Sequence, residues 1–215
     1  MTSLPVLPMP RTGIARCLLL PVLIAASVGF SRGAEGDLMP NVLFGDHAVL
    51  QRDKVVAVWG KAKPGSSVRV SFNETSAETV ADIEGKWLLH LPTLSGKKSG
   101  ELVFESGNQR LVSKDVIVGD VWLCTGQSNM EWTVKKSDNA ATETAAANFP
   151  QIRQFKVLPA VSAAPADTVK GKWVVCSPET VGDFTALGYF MARNLLKATD
   201  QPQGLINSSW GGHFH

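Results

Sequence analysis

Short stretches of alternating hydrophobic and polar residues, separated by turn residues, fill the first half of the chain. In Ser67–Phe72, the apolar Val68, Val70 and Phe72 alternate with polar neighbours, which is the period of a strand with one buried face. Similar stretches occur at residues 55–60, 86–91 and 101–106. Strands at this spacing, without a helical pattern, predict an antiparallel β-sandwich domain over residues 38–113.

The hydrophobic period changes in the second half. Residues 115–124 are almost continuously apolar, as in a strand buried on both faces of a parallel sheet. Further strands are predicted at 152–157 and 172–175 and from Gly204. Between the last two, a helix with Asp183 or Thr185 as N-cap is predicted. Its apolar face is expected to consist of Leu187, Phe190, Met191, Asn194 and Leu195. Alternating strands and helices predict a parallel-sheet α/β domain over residues 115–215.

The N-terminus is typical of a targeting segment. Arg11 and Arg16 precede an apolar run at residues 17–30, which is shorter than the roughly 20 residues of a spanning helix. This pattern predicts a secretory signal peptide over residues 1–34 and a secreted or periplasmic protein. An uncleaved anchor is the alternative; after cleavage, no membrane association is expected.

The balance of charged residues bears on which partners are expected. The chain has 21 Lys and Arg against 19 Asp and Glu, for a net charge of +2. Outside the N-terminal segment the two signs balance, so a nucleic-acid partner or an anionic membrane is not predicted. The composition indicates no particular oligomeric state.

Cysteine and histidine positions bear on bridges and metals. After signal removal only Cys124 and Cys176 remain, in strand-like runs, and buried free thiols are predicted, with a single bridge as the alternative. The four histidines lack ligand spacing with cysteines or carboxylates, so no metal site is predicted. Trp59 and Trp87 are expected to fill the sandwich core; lining a sugar-binding face is the alternative.

The most specific chemistry follows the buried strand. Gly126 and Gln127 lead into Ser128, and sites in parallel sheets lie at the carboxyl ends of strands. A serine opening a helix presents its hydroxyl at this edge, and its backbone N–H can stabilise an oxyanion. A simple N-cap role for Ser128 is the alternative.

Several segments carry a family resemblance. GDVWLCTGQSNMEW (residues 119–132) resembles the nucleophile block of the SGNH hydrolases, in the form found in the sialate O-acetylesterase family. VLQRDKVVAVWGKAKPGSSVRVSF (49–72) and IEGKWLLHLP (83–92) are similar to that family's N-terminal β-domain, and GLINSSWGG (204–212) to a segment after the nucleophile. The resemblance implies a β-sandwich followed by an SGNH-type α/β domain.

The resemblance also implies a reaction and its residues. Ser128 matches the nucleophile and contributes its N–H to the oxyanion hole, and Gly211 or Gly212 matches the glycine that supplies a second donor. Gln127, Asn129 and Glu131 are expected to order the loop. The implied substrate is an O-acetylated carbohydrate, and no cofactor is implied. An acetyl xylan esterase and a secreted, non-catalytic glycan-binding protein are the alternatives.

The chain also departs from the family pattern. The family's base is a histidine in an Asp-x-x-His motif, and a QGE motif supplies an oxyanion contact; neither motif is present. His213 is the alternative base. The sequence therefore predicts a C-terminally truncated, incomplete SGNH domain with little or no esterase activity and an unpaired, hydrophobic edge on its last strand.

Overall fold

Two β-sheets and three α-helices make up residues 38–212, the part of the chain that the computed structural model describes. The predicted signal peptide, His213 and His215 lie outside the described residues. The helices are α1 (Ser128–Glu131), α2 (Ala140–Ala145) and α3 (Ala186–Thr199). The strands are β1 (Met39–Pro40), β2 (Val49–Gln51), β3 (Val56–Lys61), β4 (Ser67–Phe72), β5 (Thr75–Val80), β6 (Lys86–Leu91), β7 (Ser99–Ser106), β8 (Gln109–Cys124), β9 (Phe149–Lys156), β10 (Trp173–Cys176) and β11 (Gln203–Asn207).

Strands of the first half pair antiparallel, as predicted, with the exception of β2, which pairs parallel with β8. One sheet has the order β1-β3-β6, and β5-β4-β7-β8 form one end of the second sheet. The alternating residues Val68, Val70 and Phe72 of β4 are buried, as are Trp87, Leu89 and Leu91 of β6. Both sets belong to one hydrophobic core, so the alternation in the sequence directs these side chains between the two sheets.

A single long strand joins the two halves of the chain. β8 has 16 residues and runs through the predicted domain boundary at 113–115. It pairs antiparallel with β7 up to Ile117, then parallel with β2 and finally parallel with β11. The described residues therefore belong to one compact, mixed α/β unit.

The position of the last strand differs from the prediction. β11 lies between β9 and β8 and is parallel to both, so the expected open edge on β11 is wrong. Within residues 38–212, this part of the sheet ends instead at β10 on one side and at the end of β8 on the other, where residues 120–124 pair with β11 alone. Leu123 on this edge is 67% exposed. Order along the chain does not fix order in a sheet, because a helical crossover can return to either side.

The packed face of α3 agrees only in part with the prediction: Phe190 and Met191 pack, partly buried, against the core as expected. Thr185, one of the two predicted caps, is the N-cap. The buried residues are Ala186, Gly188, Tyr189 and Ala192, whereas Leu187 is 57% exposed and Asn194 is exposed. A Cβ on Gly188 would lie 3.2 Å from the Cys124 sulfur and 3.3 Å from Leu205 Cδ1. Small residues thus let the helix approach the sheet closely, and a pattern of large apolar residues does not detect such a face.

The cysteines and tryptophans have separate environments. Cys124 and Cys176 are free and buried, which confirms that prediction. Burial raises the pKa of Cys176 to about 11. Trp87 is buried in the core, while Trp59 is partly exposed and packs edge-to-face on Phe44 at 4.8 Å between ring centroids. Among the described helices, none has the length and apolar character needed to cross a membrane.

Candidate active site

Ser128 is the first residue of the short helix that follows β8. Gly126 has φ +139°, a conformation that favours glycine, and it turns the chain from the strand into α1. The N-cap of this helix is Gln127, so the alternative role of Ser128 as N-cap is wrong. Ser128 is exposed to solvent, and its backbone N–H donates to no residue in the range 38–212. Both its hydroxyl and its N–H are therefore available at the C-terminal end of β8.

The segment after β11 runs beside the segment that contains Ser128. Parallel pairing places Asn207 opposite Cys124. Beyond the strands, the Ser208 N–H donates to the Cys124 carbonyl and the Trp210 N–H to the Gly126 carbonyl, both at 3.0 Å. The ends of the two strands thus continue side by side as loops.

This arrangement brings Gly211 against the backbone of Ser128. A Cβ on Gly211 would lie 3.1 Å from Ser128 Cα and 3.2 Å from Ser128 N. Such contacts are tighter than ordinary van der Waals distances, so a side chain at position 211 would push on the Ser128 backbone. Gly212 follows with φ +82° and open space around its Cα. The structure therefore brings Ser128 and the predicted Gly211–Gly212 segment together.

Glu131 links α1 to this glycine segment. The Gly211 N–H donates to Glu131 Oε2 at 3.0 Å, so one of the two predicted oxyanion donors is engaged by a carboxylate. Gly212 is exposed, and its N–H donates to no acceptor in the described range. The expectation that Glu131 orders this loop is consistent with its bond to Gly211.

A buried polar cluster beneath the loop was not predicted from the sequence. Asn207 Oδ1 accepts hydrogen bonds from the Ser209 N–H at 3.1 Å and the Ser209 hydroxyl at 2.6 Å. Lys156 Nζ donates to the Ser209 carbonyl at 3.2 Å. Burial lowers the pKa of Lys156, and the charge of Glu131 opposes that shift. The polar run at residues 207–209, at the end of an apolar strand, was the available signal for this cluster.

The described histidines lie in other surroundings. His47 Nδ1 is 2.7 Å from Asp115 Oδ2, and His90 lies on β6. Neither hydrogen-bonds to Ser128. Over residues 38–212 there is no cluster of three or more His, Cys, Asp or Glu side chains that could hold a metal ion.

Comparisons with known proteins confirm the family resemblance. The chain is 29% identical to mouse (Mus musculus) sialate O-acetylesterase, over 96% of this chain and 40% of the mouse protein, and 31% identical to the rat (Rattus norvegicus) protein, over 90% and 39%. A crystal structure of a carbohydrate acetylesterase from Xanthomonas citri has 40% identity and a TM-score of 0.77, over 82% of this chain and 41% of the other. No family model matches the chain. The chain thus spans about two fifths of the length of the relatives it matches.

Proposed function

Since this chain is a relative of the sialate O-acetylesterases over most of its length, we propose that it belongs to a serine esterase that removes acetyl groups from sugar hydroxyls. In this proposal the antiparallel sheets form the β-sandwich domain and the parallel strands form an SGNH-type domain. The observation that supports it most strongly is the packing of Gly211 on the Ser128 backbone. This contact sets an exposed serine hydroxyl beside backbone donors at the end of a parallel strand.

The proposed reaction follows from these groups. Ser128 Oγ attacks the acetyl carbonyl carbon while the N–H groups of Ser128 and Gly212 stabilise the oxyanion. The Gly211 N–H is held by Glu131. The bond between the acetyl carbon and the sugar oxygen breaks, and that oxygen takes up a proton as the sugar leaves. Water then attacks acetyl-Ser128, releasing acetate and restoring the hydroxyl.

Proton transfer is the demanding step for this chain. The serine hydroxyl must lose its proton during attack, and a serine without a positioned base is a weak nucleophile near neutral pH. Because neither His47 nor His90 contacts Ser128, we expect slow turnover by the chain alone. A small diffusible base is expected to accelerate it.

The proposed substrate is an O-acetylated saccharide. Two of the compared relatives are named for sialate and the other for carbohydrate in general. Acetate release from O-acetylated sialic acid and from acetylated xylan distinguishes a sialate esterase from a polysaccharide deacetylase. From the pattern of residues 1–34 we also propose a secreted or periplasmic location.

Chemical rescue with imidazole tests the proposed nucleophile. Hydrolysis of p-nitrophenyl acetate is measured with increasing imidazole for the native chain, Ser128→Ala, His213→Ala and the control Ser113→Ala. The native chain, His213→Ala and Ser113→Ala are expected to exceed the rate of imidazole alone, and acetyl-Ser128 is expected in the mass spectrum. Equal rates for the native chain and Ser128→Ala at every imidazole concentration would contradict the proposal.

A further inference from the structure

A second cleft lies on the outer face of the sheet β1-β3-β6. Trp59 and Leu88 are cross-strand partners on β3 and β6, and they point away from the buried neighbours Val58 and Leu89. Leu88 is 53% exposed and Met39 of β1 is 58% exposed. With Val169 these side chains line a cleft of about 730 Å³, here called the outer cleft. The exposed apolar side chains Met39 and Leu88 thus line one cleft and are not scattered singly over the surface.

Paired charges surround the apolar wall. Lys61 Nζ lies 3.2 Å and Lys86 Nζ 3.6 Å from Asp167 Oδ2. Lys86 also pairs with Glu84 at 2.9 Å. The rim therefore presents both hydrogen-bond donors and acceptors with little net charge. Such a rim suits a neutral ligand that carries many hydroxyl groups better than an ionic one.

A buried tryptophan lies beneath the apolar wall. Trp87 lines the outer cleft and is buried, and its Nε1 has no hydrogen-bond partner among residues 38–212. Its ring lies under Gly60, where a Cβ would be 2.7 Å from Trp87 Cζ2. Buried polar groups in folded proteins nearly always have a partner. This N–H is enclosed by protein, so the contacts to a ligand are assigned to the exposed side chains of the wall and the rim.

We propose that the outer cleft is a saccharide-binding site, separate from Ser128, that holds a segment of neutral oligosaccharide. A pyranose ring has an apolar C–H face and a hydroxyl edge. The face matches Trp59 and Leu88, and the edge matches the Lys61–Asp167–Lys86 rim. The choice of a saccharide over an apolar peptide rests on this polar rim and on the carbohydrate substrate proposed above. The site would hold a polysaccharide on the protein while its acetyl groups reach Ser128.

Binding of xylohexaose, a neutral pyranose chain, tests this site without relying on catalysis. Titration calorimetry compares the native chain with Trp59→Ala and with Leu88→Asp, which alters an exposed position and leaves the core intact. Val80→Ala, on the exposed face of β5 outside the cleft, is the matched control. We expect saturable binding that weakens about tenfold in both cleft variants, because one lost aromatic or apolar contact is of that order, and that is unchanged in Val80→Ala and Ser128→Ala.

Three outcomes would overturn the proposal. They are the absence of saturable xylohexaose binding to the native chain, binding by Leu88→Asp that equals the native affinity, and binding of an apolar peptide with no binding of the saccharide. The result is independent of the esterase assay. Binding that depends on Leu88 but survives Ser128→Ala supports the outer cleft even if no acetyl transfer by Ser128 is found.

Discussion

Glu131 is the residue on which the geometry around Ser128 depends most directly. It lies on the same helical turn as Ser128, and its carboxylate accepts the Gly211 N–H at 3.0 Å. The negative charge of Glu131 also acts on Lys156, whose Nζ donates a hydrogen bond to the Ser209 carbonyl. One side chain therefore ties α1 to the loop after β11 and keeps Gly211 on the Ser128 backbone.

Replacing Glu131 is predicted to loosen that loop. Glu131→Ala leaves the Gly211 N–H without its acceptor, and we expect it to lower the free energy of unfolding by about 1–2 kcal/mol. Glu131→Gln keeps a carbonyl oxygen at the same place and should retain most of the stability. Urea denaturation of both variants measures the difference. The exposed Glu101→Ala is the control; a loss in Glu131→Ala no larger than in this control would contradict the role.

Among the elements, helix α3 packs on the parallel strands, and Gly188 lies on the face of the helix that contacts them. Alanine at position 188 has the better helix propensity, by about 1 kcal/mol. A Cβ there would nevertheless lie 2.6 Å from Thr185 Cγ2 and close to Cys124 and Leu205. We expect Gly188→Ala to destabilise the protein by about 1–3 kcal/mol, because overpacking outweighs the propensity gain.

Leu187 supplies the matched comparison on the same helix. It was predicted to be a core residue but is largely exposed, so Leu187→Ala is expected to change the free energy of unfolding by less than about 0.5 kcal/mol. Thermal and urea unfolding should therefore show a larger loss of unfolding free energy in Gly188→Ala than in Leu187→Ala, although only Leu187→Ala removes a large apolar side chain. If Gly188→Ala were more stable than the native protein and Leu187→Ala strongly destabilised, the packed face of α3 seen in the structure would be contradicted and the face predicted from the sequence supported.

The elements also show what a sequence can and cannot predict. β4 and β6 have the predicted bounds, because period-two alternation directly encodes one buried face. Ser128 lies at the predicted turn for a similar reason, since an apolar strand followed by glycine is a local signal. The central place of β11 could not be predicted from the sequence, because it depends on which side of β9 and β8 the chain returns. The bond from Gly211 to Glu131 spans 80 residues, and no local pattern reveals it.

At the scale of the whole molecule, a buried arginine fastens β9 to the middle of β8. The Arg153 side chain is 4% exposed. Its Nη2 donates to Asp115 Oδ1 at 2.9 Å, and Nη1 donates to the Asp115 carbonyl. His47, in the loop before β2, contacts the other oxygen of Asp115 at 2.7 Å. Three segments distant in sequence thus meet where β8 passes from its antiparallel to its parallel partners.

The contacts of Asp115 with Arg153 and His47 are expected to make the free energy of unfolding depend on pH. Partial burial raises the pKa of Asp115, but the hydrogen bond from His47 and the charge and hydrogen bond of Arg153 outweigh it and hold the pKa below its ordinary value. A carboxyl whose pKa is lower in the folded state stabilises the fold fully above its unfolded pKa, about 3.9. That contribution is lost as the pH falls through the folded pKa.

Asp115→Asn is therefore predicted to destabilise the protein at neutral pH and to matter less in acid. Arg153 would be left buried without a counter-charge, and because Asp115 is about half exposed we expect a loss of about 1–3 kcal/mol at pH 7 rather than the larger cost of a fully buried pair. Urea unfolding from pH 7 to pH 3 should show the gap between native and variant narrowing below about pH 4. The exposed Asp138→Asn serves as control and should stay within about 0.5 kcal/mol of the native protein. A gap that is constant with pH would mean that the Asp115 charge does not hold this junction together.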